Sequence, residues 1–234
     1  MTLPHKPAAS AERPPTAAPA MRGFGRFLLR QLLGKSERSM TWLAHDPRVG
    51  QDLMLTLPRV QPQDAAALEA WQRDVGAAAR LNHPHLAAVG EIAVQDHWPY
   101  VAVDRAYGVT LGEWMDGHGG SSVAEQVGWI CQALEGLAFA HDAGAAHGDL
   151  QFHSLLVSEQ GAVRLMGLAT AGAPAPAHGR PPSEPQGRVM AVAASDLRAH
   201  RERAERDVVA IGLLLYRLLS GQSPLDEPDV SVVL

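Results

Sequence analysis

Between Asp207 and Leu219 the chain carries a helical pattern that is apolar nearly all round, closed by Gly221 and Pro224. A helix of that kind has no face for water and demands burial on every side. It therefore belongs at the centre of a helical half. What precedes it has a different rhythm. Short strand-like runs cover Phe27 to Leu33, Met40 to His45 and Asp52 to Leu57, with Pro47-Arg48-Val49-Gly50 as a turn. Asp64 to Leu81 reads as a helix with one apolar face of Leu68, Trp71, Val75 and Ala78, ended by His83-Pro84. Leu86 to Val94 and Pro99 to Val103 form an expected strand pair. The order is strands with one helix among them, then helices.

The second half opens with a short helix from Leu111 to Met115 and a long one from Ser122 to Ala143, stopped by Gly144. Leu155–Val157 and Val163–Met166 read as a hairpin around Ser158-Glu159-Gln160-Gly161. Residues 171–188 are rich in Pro, Gly and Ala and are expected to be a mobile loop. Residues 1–22 read as a disordered leader rich in Pro and Ala, without the apolar core of a signal peptide.

Composition narrows the function. The chain has 234 residues and a formal charge of −5, which points to neither a nucleic-acid nor a membrane partner. No run approaches the roughly 20 apolar residues of a membrane span. Cys131 is the single cysteine, so no disulfide framework exists and a reducing, cytoplasmic setting is expected. Its apolar neighbours Val127, Ile130 and Leu134 predict a buried thiol. Of 20 basic residues only Lys6 and Lys35 are lysines. Beyond position 35 no compact ammonium is available for any site.

Two stretches carry the chemistry: Ala146-His147-Gly148-Asp149-Leu150-Gln151-Phe152-His153-Ser154-Leu155-Leu156, and Val163-Arg164-Leu165-Met166-Gly167-Leu168-Ala169. With His83-Pro84, the run Pro99 to Asp104, and Arg206-Asp207-Val208-Val209-Ala210-Ile211-Gly212, their order and spacing resemble a protein kinase, in particular the eukaryotic-like (Hanks-type) Ser/Thr kinases of bacteria. The resemblance covers residues 24 to about 228. It implies an α+β, two-lobed fold with a five-stranded lobe at 23–105 and a helical lobe at 106–234. Further helices would follow the buried one, and Asp226 to Leu234 supplies only a stub, so that lobe is expected to be incomplete.

The same resemblance implies which groups are missing. The family's glycine-rich loop matches Gly34 to Thr41, with Ser36 and Ser39 where glycines are expected, and the turn reads as an ordinary strand connection. The phosphate-binding lysine matches Thr56, and its glutamate partner matches Asp74, expected to be a solvated helix charge. Gln151 stands for the loop lysine, Ser154 for the metal-binding asparagine, and Gly167 for the metal-binding aspartate. Gly148 replaces the arginine that would read a phosphorylated loop. Met54 should partly fill the adenine slot. Phosphoryl transfer needs charge neutralisation and carboxylate-held magnesium, and these substitutions remove both. What stays is architectural: His147 and Leu168 in an apolar column with Ala78, and Asp207 capping backbone N–H groups. Asp149 remains as the one would-be base.

The expected function is thus a catalytically impaired kinase-like domain, a pseudokinase working as a signalling scaffold through another protein, with no cofactor and no metal. Two alternatives stay open. One is a divergent active Ser/Thr kinase using Asp149 with Lys35 as substitute cation. The other is a metal-independent nucleotide sensor with weak ATP affinity, its pocket formed by Lys35, Met54, Val103, Asp104, Ala106 and Leu156. His141, His147 and His153 recur every six residues, a spacing unsuited to tetrahedral zinc. Arg198, Arg201, Arg203 and Arg206, with Glu202 and Glu205 interleaved, read first as a solvated helix face and are the first choice for a partner-contact surface.

Overall fold

A computed structural model of the chain describes residues 22–117, 120–172 and 188–222. The expected leader before Arg22, nearly all of the expected loop at 171–188, and the terminal stub lie outside the described residues.

The first half is a six-stranded antiparallel sheet of order β1-β2-β3-β4-β6-β5. Its strands are β1 (Arg22–Phe24), β2 (Phe27–Lys35), β3 (Ser39–Asp46), β4 (Gln51–Pro58), β5 (Val89–Gln95) and β6 (Trp98–Asp104). The sheet thus has one strand more than the five expected, because the residues just before Phe27 fold back on it through Gly25 at φ 54°. Alternation along β4 and β6 divides their side chains between two clusters. Leu55, Leu57, Tyr100 and Ala102 pack with Phe27 on one face. Met54, Val101 and Val103 pack on the other with Trp71 and Val75 of α1 (Ala65–Ala78). Helix α1 starts where Asp64 accepts the Ala67 N–H at 2.7 Å, a side-chain N-cap.

The second half contains β7 (Val109–Thr110), α2 (Leu111–Gly117), α3 (Val123–Asp142), the hairpin β8 (Leu155–Val157) and β9 (Val163–Leu165), and α4 (Arg188–Ser220). A capping box of Ser122 and Glu125 opens α3. Leu111, Trp129, Leu137, Leu150, Leu155, Leu165, Ile211 and Leu214 share its core. The two halves join where the Ala87 N–H donates to the Leu165 carbonyl (2.8 Å) and the Leu165 N–H to the His85 carbonyl (2.9 Å). Leu156 and Met166 of the hairpin region also enter the cluster under the sheet.

Three expectations are corrected here. Helix α4 has 33 residues, about 50 Å at 1.5 Å each, and begins well before Asp207. It is not sealed all round: Val208, Val209, Tyr216 and Leu219 are between 46% and 53% exposed, while Ala210, Ile211, Leu214 and Leu218 are buried. The thiol of Cys131 is exposed, since the buried stripe of α3 runs through Trp129, Ile130, Ala133 and Leu137 and leaves Cys131 on the outer side. No helix among the described residues is long and apolar enough to cross a membrane.

Candidate active-site cleft

The loop 146–154 lies between the two halves and is held from below by Asp207. One Asp207 oxygen accepts the His147 N–H (2.7 Å) and a ring N–H of His141 (3.0 Å); the other accepts the Gly148 N–H (2.8 Å). Gly148 has φ 79°, a conformation in which a side chain is strained. His147 is buried, donates from Nε2 to the Met166 carbonyl (2.9 Å), and accepts the Asp149 N–H at Nδ1 (3.3 Å). Those two bonds fix the tautomer with its proton on Nε2. Ser154 closes the loop: its hydroxyl donates to the Asp149 carbonyl (3.3 Å) and accepts the Gln151 N–H (3.2 Å). Leu168 packs against the helical core, and Ala78 is buried on the facing side of α1.

Asp149 is 4% exposed, and its partners come from far along the chain. Oδ2 accepts the hydroxyls of Ser36 (2.6 Å) and Ser39 (2.5 Å), both from the β2–β3 turn. Oδ1 accepts weakly from Gln151 Nε2 (3.4 Å). The turn is therefore not the plain strand connection expected. It bends inward, and Ser36 and Ser39 are buried. Gly34 permits the approach, because a Cβ there would lie 2.3 Å from Nδ1 of His153. Arg38, at the tip of the turn, was not singled out from the sequence at all. Its guanidinium donates to the carbonyls of Gly148 and Gly172. Burial pulls its pKa down, against the opposing pull of the Asp149 charge. A cation thus does reach the place beside Gly148, supplied by the β2–β3 turn.

Deeper in the cleft, Thr41 and Thr56 stand opposite each other on β3 and β4 with hydroxyl oxygens 3.1 Å apart. The backbone brings Thr56 and Gly167 together: a Cβ on Gly167 would sit 3.6 Å from the Thr56 methyl. Asp74 is outside this cluster, 55% exposed and beside Arg73 (3.5 Å). Lys35 is exposed at the end of β2, in an open cavity of about 470 Å³ that Arg59, Phe152 and Arg217 also line.

Met54 is completely buried; it pairs with Val103 across β4 and β6, and packs with Leu156 and Met166. At the strand exit, Asp104 turns its carboxylate back to accept the Ala106 N–H (2.8 Å). Among the described residues no group of three or more His, Cys, Asp or Glu is placed to hold a metal ion. Magnesium binds through carboxylates and phosphate oxygens, and the positions facing Asp149 offer hydroxyls, an amide and a glycine. The groups present do not fit a magnesium nucleotide.

Comparison with known proteins gives the family and the fold. The protein kinase domain family matches residues 54–232, most of the chain, and the chain belongs to that family. It is distantly similar to bacterial Ser/Thr kinases. The probable serine/threonine-protein kinase pknA2 of Bifidobacterium longum is 24% identical over 90% of this chain and 28% of its own length. PrkC of Bacillus subtilis is 23% identical, again over 90% of this chain and 33% of its own. PknB of Mycolicibacterium smegmatis is 28% identical over 85% and 33%. The chain thus spans about a third of the length of these relatives. Among solved structures, Rad53 1–466 in complex with AMP-PNP matches with a TM-score of 0.60 at 16% identity, over 86% of this chain and 50% of that one. That likeness shows the kinase fold.

Proposed function

We propose that this member of the protein kinase family is a pseudokinase: it keeps the fold, transfers no phosphate, and acts in signalling through contact with another protein. One observation carries the reading. Thr56 and Gly167, the positions where the family resemblance puts the phosphate-binding cation and a metal-binding carboxylate, meet in the cleft as a methyl, a hydroxyl and a bare backbone. A triphosphate brought there would find no counter-charge at either position, in a setting where electrostatic terms are several-fold larger than in water.

The neighbouring groups support the same reading. Met54 takes the space of the base, Asp104 takes the Ala106 N–H, and the Asp149 carboxylate already has two hydroxyl donors. The exposed apolar residues Val208, Val209, Tyr216 and Leu219 on α4 agree with a function exercised on another protein.

Thermal unfolding with ATP, with and without magnesium, tests the proposal, because any ligand of the native state raises the midpoint by mass action. No shift is expected in either titration. A magnesium-dependent shift, with label transferred from γ-phosphate to protein and lost in Asp149→Asn, would establish an active kinase instead. A shift indifferent to magnesium would establish a nucleotide sensor.

A further inference from the structure

We infer that the β2–β3 turn is a latch that keeps the cleft shut without any ligand, with Asp149 as its catch. This goes beyond the pseudokinase reading and does not rest on it: a weakly active kinase could carry the same latch.

Three features point to it. The first is convergence. Both hydroxyls of the turn meet one oxygen of one buried carboxylate, at 2.6 and 2.5 Å. The Ser36 oxygen also accepts the N–H groups of Arg38 and Ser39, at 2.9 Å each, which leaves its own proton for Asp149. Such a chain of bonds polarises in one direction.

The second is reach. Arg38 ties the turn to Gly148 of the loop and to Gly172 beyond Thr170, so three separate segments are held by one side chain. Arg59, at the end of β4, steadies the turn from behind by donating to the Ser36 carbonyl (2.9 Å).

The third is the nature of the contact. The bonds that close the turn onto the loop are polar throughout. Opening would return hydroxyls, a guanidinium and a carboxylate to water, which solvates all of them, and the burial that depresses the Arg38 pKa would be relieved. The cost of opening is therefore low compared with separating an apolar interface, and local opening without global unfolding is the expected behaviour. In the closed state Asp149 is buried with both turn hydroxyls on its carboxylate, so the latch decides access to it.

Hydrogen exchange read by mass spectrometry on the full chain, with no nucleotide present, tests this. In Ser36→Ala/Ser39→Ala the amides of residues 35–41 and 147–152 should exchange about tenfold faster, with those of α3 unchanged. Asp149→Asn, which keeps an acceptor but loses the charge, should give a smaller acceleration at the same peptides. Combining it with the serine changes should add less than its effect alone. Arg38→Ala, at the tip of the turn, gives a separate arm if the double variant does not fold; it should also free the 170–172 peptide. Unchanged exchange in the turn, or equal acceleration through α3, or strict additivity of the serine and Asp149 changes, would overturn the latch.

Discussion

Asp207 accepts the backbone N–H of His147 at 2.7 Å across sixty positions of sequence, and through that bond a helix fixes the loop on which Asp149 stands. With the Gly148 N–H on its other oxygen and His141 alongside, a single buried carboxylate satisfies three donors. Replacing it by alanine leaves the buried N–H of His147 and the half-buried N–H of Gly148 without an acceptor. Asp207→Ala should lose about 3–5 kcal/mol of stability, and Asp207→Asn less, because the amide oxygen still accepts one bond. Urea unfolding of both variants checks the order. Equal losses would mean that packing of α4, and not these bonds, is what Asp207 supplies.

Met54 fills the slot under β4 as a core residue, and its removal should behave as a core truncation. Met54→Ala is expected to cost about 2–5 kcal/mol. The emptied slot should still give no thermal shift with magnesium and ATP, because the phosphate end gains no cation from the change. A shift in this variant but not in the wild type would show that the methionine alone blocks the nucleotide.

Gly108 follows the 3-10 turn at residues 105–107 with φ 137°, and a Cβ there would lie 2.3 Å from the carbonyl oxygen of Val157. Neither the conformation nor the space tolerates a side chain. Gly108→Ala should lose about 2–4 kcal/mol and loosen the β7–β8 pairing, visible as faster exchange of the Val157 peptide. Gly76→Ala on α1, where nothing lies within 4 Å of the added carbon, should be neutral or slightly stabilising by comparison.

Acid sensitivity should start in the sheet. Arg26 donates to Asp46 (2.7 Å) and to Glu91, and these bonds hold both carboxyls below their ordinary range. Burial together with Glu91 pushes the Tyr100 hydroxyl, which donates to Glu91 at 2.8 Å, up to about 12. The unfolded chain binds more protons than the folded one once the pH falls to the free carboxyl range of about 4. The stabilisation is therefore complete above that range and is lost as the pH falls through the lowered folded values. Denaturant midpoints at pH 7, 5 and 3 should drop at the acid end, and Arg26→Met should flatten the drop. A parallel curve in the variant would place the acid-sensitive groups elsewhere.

Much of the fold and part of the cleft is legible in the sequence. Short strand-like runs bounded by turn residues place five strands of the first half, and helical apolar patterns place α1 and α3. The identities at Thr56, Ser154 and Gly167, two hydroxyls and a glycine at positions where the resemblance expects a lysine, an asparagine and an aspartate, are legible directly, since a side chain's chemistry does not depend on its surroundings for its presence. Cys131 shows the limit of such reading. Its apolar neighbours pointed inward, but they lie around a helix, and a shift of one position takes a residue from core to surface. The extra strand at Arg22–Phe24 carries no periodic signal at three residues, and only its pairing with β2 creates it.

By itself the sequence determined the order of most elements, the family frame and which residues stand at the expected motif positions, because those follow from residue identity and local spacing. Only the tertiary structure decided that Ser36, Ser39 and Arg38 turn inward upon Asp149 and Gly148, more than a hundred positions away. No local rule could supply that. The turn's polar groups could equally have faced water, and what holds them inward is a carboxylate and carbonyls that only the folded arrangement of both halves places within reach.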